Sequence, residues 1–163
     1  MSVLANKVIF LTGGASGIGE ACAKAYAKAG ARLFVMDKNK QVLNNLLTHI
    51  EPGHDGFVGD VQQGEAIKNA IEKALLRFGK IDVIHNNAGI ASPSKPLDQT
   101  TENEWNSLID TNLKSVYWTT RYGIEALKVS KGCILNTSSM VGEIGQENHA
   151  AYVATKGGDE RPN

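Results

Sequence analysis

The chain has 163 residues, 42% hydrophobic and 21% charged, enough for one ordinary globular domain and inconsistent with disorder, a fibrous repeat or a second full domain. Seventeen Lys and Arg balance seventeen Asp and Glu, and the basic residues are scattered, so no basic stripe suits a phosphate backbone or an anionic membrane. The opening MSVLANKVIFLTGG lacks a charged leader ahead of a long apolar core, and no apolar run reaches bilayer-spanning length; the expectation is a soluble cytoplasmic protein, with neither nucleic acid nor membrane as a partner.

Short β-branched apolar runs alternate with longer segments of helical period, the pattern of a parallel sheet with helices on its faces. Val8 to Thr12 predicts the first strand, and alanine-rich Ile18 to Ala29 the first helix. Leu33 to Asp37 reads as the second strand. Gln41 to Ile50 follows, with Leu43, Leu46, Leu47 and Ile50 at helical spacing. Phe57 to Asp60 predicts a third strand, and Glu65 to Phe78 a helix with Ile67, Ile71, Ala74 and Phe78 on one stripe. Ile81 to Asn86 is the fourth strand. One long helix is expected from about Glu102 to Val129, with its stripe at Ile109, Leu113, Val116, Thr120, Ile124 and Leu127, before a fifth strand from Cys133 to Thr137. Gly30, Gly79 and Gly132 fall just past three helices, where a left-handed cap is wanted. Residues 1–163 therefore read as a single α/β domain.

Several conspicuous residues read as structural. Cys22, in a helix, and Cys133, in a strand, are small buried hydrophobes rather than a disulfide framework. His85 is a packed or rim histidine with no partner at metal-ligand spacing, and no metal site is expected. His149 reads as a loop histidine, while Trp105, Tyr117 and Trp118 read as packing residues of the long helix.

Chemistry concentrates at two places. In TGGASGIG, Gly13, Gly17 and Gly19 follow a strand and open a helix, where missing Cβ atoms let the backbone approach a pyrophosphate held by helix N-terminal amides. Ser16 and Ile18 belong to the same turn. Asp37 ends the second strand, 18 positions beyond Gly19, where a carboxylate accepts hydrogen bonds from adenosine ribose hydroxyls and repels a 2′-phosphate, which favours NAD over NADP. The alternative for Asp37 is a cap for the next helix, and the neighbouring Lys38 would partly rescue phosphate binding. Near the chain's end, Tyr152 and Lys156 are four residues apart and share a helix face. A free phenol, with a pKa of about 10, is a poor proton donor at neutral pH, and an adjacent ammonium in a low-dielectric site favours its anion. The pair alone is a weak signal. Asn136-Thr137-Ser138-Ser139 strengthens it by bringing hydroxyls to the carboxyl edge of the sheet, where open α/β sheets bind ligands; there Ser139 can hydrogen-bond a substrate oxygen.

Taken together, these segments resemble the short-chain dehydrogenase/reductase family. TGGASGIG is similar to its cofactor turn, Asp60-Val61 to its adenine-contacting pair, and Asn87-Ala88-Gly89 to its loop after the fourth strand; Asn112, Ser139, Tyr152 and Lys156 match its catalytic tetrad. Of the two adjacent serines, Ser139 matches because it lies thirteen positions before Tyr152; Ser138 becomes a strand-end hydrogen-bonding residue. The resemblance implies a three-layer α/β/α Rossmann fold with strand order 3-2-1-4-5, and NAD(P)-dependent hydride transfer between a nicotinamide and a secondary alcohol or ketone. It also implies that Tyr152 exchanges the proton, Ser139 orients the oxygen, Lys156 holds the ribose and favours the phenolate, and Asn112 anchors a water-linked proton path. A homodimer or homotetramer, with the long helix at its interface, is implied as well. The family's last strands and substrate-covering loop have no counterpart after Gly158, so residues 157–163 form an atypical, truncated tail and the fifth strand a bare edge. Two readings follow: an oxidoreductase, or a catalytically silent truncated chain that retains partial dinucleotide binding or a protein interaction.

Overall fold

The computed structural model describes residues 2–91 and 94–159. Five strands, β1 (Val8–Thr12), β2 (Arg32–Asp37), β3 (Asp55–Val58), β4 (Val83–Asn86) and β5 (Cys133–Asn136), form one parallel sheet in the order β3-β2-β1-β4-β5. The helices are α1 (Gly17–Lys28), α2 (Lys40–His49), α3 (Gly64–Phe78), α4 (Glu102–Leu108), α5 (Lys114–Ser130), α6 (Val141–Ile144) and α7 (Ala150–Asp159). This is the expected α/β Rossmann arrangement. The chain steps outward from β1 to β3, then returns across β1 to β4, and that reversal opens a crevice at the carboxyl ends of the strands.

All five β1 residues are buried because helices cover both faces, which is why its sequence is a continuous apolar run rather than an alternation. Val8 and Phe10 join Phe34, Met36, Ile67, Ile71 and Leu127 on the α3–α5 side. Ile9 and Leu11 join Ala23, Leu33, Val35, Leu43 and Leu46 on the α1–α2 side. Each large apolar side chain so buried contributes about 1.5–3 kcal/mol. Among the described residues no helix is long and apolar enough to cross a membrane.

Several boundaries differ from expectation. The third strand runs Asp55–Val58 rather than 57–60: the Gly59 N–H makes the last bond of the ladder, to the Asp37 carbonyl at 3.0 Å, and the chain then turns at Asp60, whose carboxylate accepts from the Gln62 N–H at 3.0 Å. The single long helix is in fact α4, a five-residue π-helical turn at Ile109–Leu113, and α5. Its buried face is also smaller and more polar than the expected stripe, with Thr111, Asn112, Ser115, Thr119 and Gly123 inside. Close approach demands this: a Cβ on Gly123 would collide with Ile84 of β4. Left-handed backbone occurs at Gly30 and Gly79 as expected, but past α5 Lys131 adopts it instead of Gly132.

Cys133 is exposed rather than buried, and Leu135 is 45% exposed. Both lie at the sheet edge on the face away from Ile134, which packs into the α3–α5 core. Cys22 is half-buried. Trp118 does pack, stacking on Tyr122 at 5.8 Å, whereas Tyr117 on the same helix is 51% exposed. Of the tail, residues 157–159 continue α7, and residues 160–163 lie outside the described residues.

Candidate active site

The crevice at the reversal point is a cleft of about 530 Å³, a size that suits a small-molecule ligand. Its floor begins at the turn after β1. Gly13 has φ +59, and a Cβ there would stand 2.7 Å from the Ala88 Cα, so the turn and the loop after β4 touch backbone to backbone. Thr12 and Asn87 join the two segments. The Thr12 hydroxyl accepts from the N–H groups of Asn87 (3.1 Å) and Ala88 (3.2 Å), while Asn87 Nδ2 donates to the carbonyls of Thr12 (3.3 Å) and Gly13 (3.0 Å). α1 then starts at Gly17, where φ is +52, and its Ser16 cap makes no side-chain hydrogen bond to the helix. Its first amides are therefore available to an anion.

At the opposite wall, Asp37 is buried and its carboxylate braces the turn, accepting from the Ala15 N–H (3.1 Å) and the Asn39 N–H (2.9 Å). It does not cap α2; Asn39 does, accepting from Gln41 and Val42. The far end of the cleft is built by the segment after β5 and by α7. Lys156 is 5% exposed and its ammonium donates to the Thr137 carbonyl at 2.8 Å, while the Ser138 hydroxyl donates to the Lys156 carbonyl at 3.4 Å. Tyr152, one helical turn before Lys156, and Ser139 line the same cleft. Asn112 does not. It stands behind the wall, 1% exposed, accepting from the Ile90 N–H (2.8 Å) and donating to the Ile90 carbonyl (2.9 Å) and the Thr155 hydroxyl (3.0 Å). The π turn presents it to both the loop after β4 and α7.

Residues 7–160 match the family described as short chain dehydrogenase. The chain belongs to the short-chain dehydrogenase family. It is 34% identical over 153 residues to an L-fucose dehydrogenase of Bos taurus, an alignment that covers 94% of this chain and 56% of the relative. A 3-oxoacyl-[acyl-carrier-protein] reductase of Thermotoga maritima is 37% identical over 159 residues, with 95% of this chain and 64% of the relative covered. The crystal structure of a 3-ketoacyl-(acyl-carrier-protein) reductase from Brucella melitensis complexed with NADH superposes with a TM-score of 0.90 at 32% identity, over 94% of this chain and 65% of that one. The chain thus spans from 56% to 65% of the lengths of these relatives.

In this member of the family, Gly13, Ser16, Ile18, Gly19, Asp37, Asp60, Val61, Asn87, Ala88, Gly89, Ser139, Tyr152 and Lys156 all line one cleft. Of the expected site residues only Gly17 and Asn112 do not. Met36, Gly59, Ile90, Ala91 and Thr111 also line it and were not singled out for it, whereas Lys38, Thr137 and Ser138, which line it too, lay in segments already read as bordering the ligand edge. Their signal was positional: each lies at a strand end or beside a matched motif. His149 is half-buried at the entrance to α7, its ring bonded to the Glu147 carbonyl at 3.0 Å.

Proposed function

We propose that this chain is an NAD-dependent oxidoreductase that moves hydride between the cofactor and a secondary alcohol or ketone. The observation that carries the reading is the convergence of the glycine turn, Asp37, Ser139, Tyr152 and Lys156 on one continuous cleft. The residues present fit the dinucleotide: the open amides at the start of α1 suit a pyrophosphate, and the turn has no Cβ at Gly13 to obstruct it. Asp37 would hold the adenosine ribose, since each carboxylate oxygen accepts one backbone N–H and retains a lone pair. Its negative charge favours NAD over NADP. When bound, the nicotinamide supplies the hydride acceptor or donor at the substrate carbon.

The chain's own residues manage the oxygen. In the oxidative direction Ser139 donates a hydrogen bond to the substrate oxygen, and Tyr152 Oη, as phenolate, takes its proton as the carbon loses hydride; reduction reverses both movements. Lys156 is held by the Thr137 carbonyl with its charge at this end of the cleft, where it stabilises negative charge on the phenol oxygen. Asn112 positions rather than touches, fixing Ile90 and Thr155 on either side of the wall.

The test is absorbance at the nicotinamide band across a panel of secondary alcohols and ketones, with Tyr152→Phe beside the wild type. Tyr152→Phe is expected to lose at least about a hundredfold in turnover while binding NAD as the wild type does. An active Phe variant removes Tyr152 from proton transfer, and tighter binding of NADP than NAD overturns the role given to Asp37.

A further inference from the structure

His85 lies in β4, 3% exposed, with both ring nitrogens bonded: Nδ1 stands 3.1 Å from the Tyr26 hydroxyl of α1, and Nε2 stands 2.9 Å from the Thr137 hydroxyl beyond β5. The direction of every bond in this chain follows from its far end. Asn87 Nδ2 donates to two backbone carbonyls, which can only accept, so the other amide atom, Oδ1, points at the Thr137 hydroxyl 3.2 Å away. An amide oxygen has no proton, and Thr137 must therefore donate to it. Having spent its one proton, Thr137 accepts from His85, which places the ring proton on Nε2; Nδ1 is then bare and accepts from the Tyr26 O–H. Burial holds the imidazole below its ordinary 6.5, in keeping with a neutral ring. Tyr26, with Cys22 and Cys133 near its phenol, faces the ring, and no carboxylate hydrogen-bonds it among the described residues.

We propose that His85 is a positioning residue: as a neutral Nε2–H imidazole it orients Thr137 and Asn87, and through them holds the Gly13 carbonyl and the glycine turn in the shape that admits a dinucleotide. Thr137 has a second link to the site, since its carbonyl receives the Lys156 ammonium. One imidazole thus braces both the cofactor turn and the lysine wall from behind the cleft. The proposal rests on the cofactor reading given above. A histidine that merely fills space would make different demands, because leucine would then replace it well and glutamine would not.

The experiment has two arms. In ¹⁵N-histidine-labelled protein at pH 7.5, His85, assigned by its loss in His85→Gln, is expected to show a protonated Nε2 and a bare Nδ1; a proton on Nδ1 overturns the proposal. In NADH fluorescence titrations, His85→Leu and Thr137→Val are each expected to weaken binding about tenfold, the loss of roughly one good hydrogen bond. The double variant should be no weaker than the weaker single one. His85→Gln, whose Nε2 can reach Thr137, should restore affinity to within about threefold of wild type. Wild-type affinity in His85→Leu, or additive losses in the double variant, overturns the proposal; if His85→Leu does not fold, Thr137→Val and His85→Gln decide it. Wild-type protein that binds neither NADH nor NADPH overturns the cofactor reading instead. The ring tautomer, and the response of the Asn87 side-chain amide resonance to Thr137→Val, then decide whether the bonded chain exists.

Discussion

Gly19→Ala should be among the most damaging single-methyl changes in this protein. A Cβ at Gly19 would fall within contact distance of the Gly13 carbonyl oxygen and 2.6 Å from Asn87 Nδ2. Neither neighbour can yield cheaply, because the Gly13 N–H is bonded to the Met36 carbonyl at 2.8 Å and the Gly13 carbonyl to Asn87 at 3.0 Å. Relief requires turning the Gly13 peptide and breaking the Asn87 bond. Overpacking costs about 1–3 kcal/mol and a stranded amide about 1–3 kcal/mol, offset by about 1 kcal/mol of improved helix propensity. The net loss is about 1–5 kcal/mol, centred on about 3 kcal/mol. Gly17→Ala is the control: φ is +52 but nothing lies within 4 Å of the added Cβ, so only the left-handed backbone strain of about 1–2 kcal/mol applies. With a urea m-value of about 2 kcal/mol/M, Gly19→Ala should lower the unfolding midpoint by about 1–2 M and Gly17→Ala by at most about 1 M, read by tryptophan fluorescence. Equal midpoints for Gly19→Ala and wild type, or a larger loss in Gly17→Ala, would refute the steric account.

Asn112→Ala removes three buried hydrogen bonds and strands their partners, so stability should fall by about 2–4 kcal/mol, and hydrogen exchange at the Ile90 amide should accelerate more than exchange in β1; an unchanged Ile90 rate would contradict this. Thermal stability should also decline as pH falls below about 6.5. Burial holds both His54, which accepts from the Leu33 N–H at 3.0 Å, and His85 below that value, so the unfolded chain takes up protons that the folded chain refuses. The His54→Gln/His85→Gln double variant should flatten the melting-temperature curve between pH 7.5 and 5.5, and an equally steep curve would sink the assignment. Asp82 acts lower down: burial opposes its ionisation, but hydrogen bonds from Lys80, the Val8 N–H and Lys7 hold its carboxyl below 3.8, so its stabilising contribution should persist until pH falls past about 3.8.

Local spacing by itself determined a great deal. The five apolar runs, the helical stripes between them and the glycine turn after β1 depend on neighbours a few residues apart, and for that reason the strands and helices could be read from the chain directly, while the strand order and the Asp60-Val61 and Asn87-Ala88-Gly89 parts of the cleft came from the family resemblance. Asp37 was placed at the end of β2 and on the cleft wall by the same logic. Only the tertiary structure decided what such residues touch. Asn39 took the α2 cap, freeing Asp37 to brace the Ala15 amide from 22 positions away. The π turn at Ile109–Leu113 interrupted a helix whose spacing looked unbroken, because it seats Asn112 against Ile90 and Thr155. Cys133 emerged at an edge because no described helix covers that side of β5. His85 read as a packed histidine, yet its partners Tyr26 and Thr137 lie 59 and 52 positions away in the chain and meet it only through strand register and the seating of α1. Hydrophobic periodicity encodes which face is buried; the identity of a buried polar group's partner depends on register between distant segments, and no short stretch of sequence contains it.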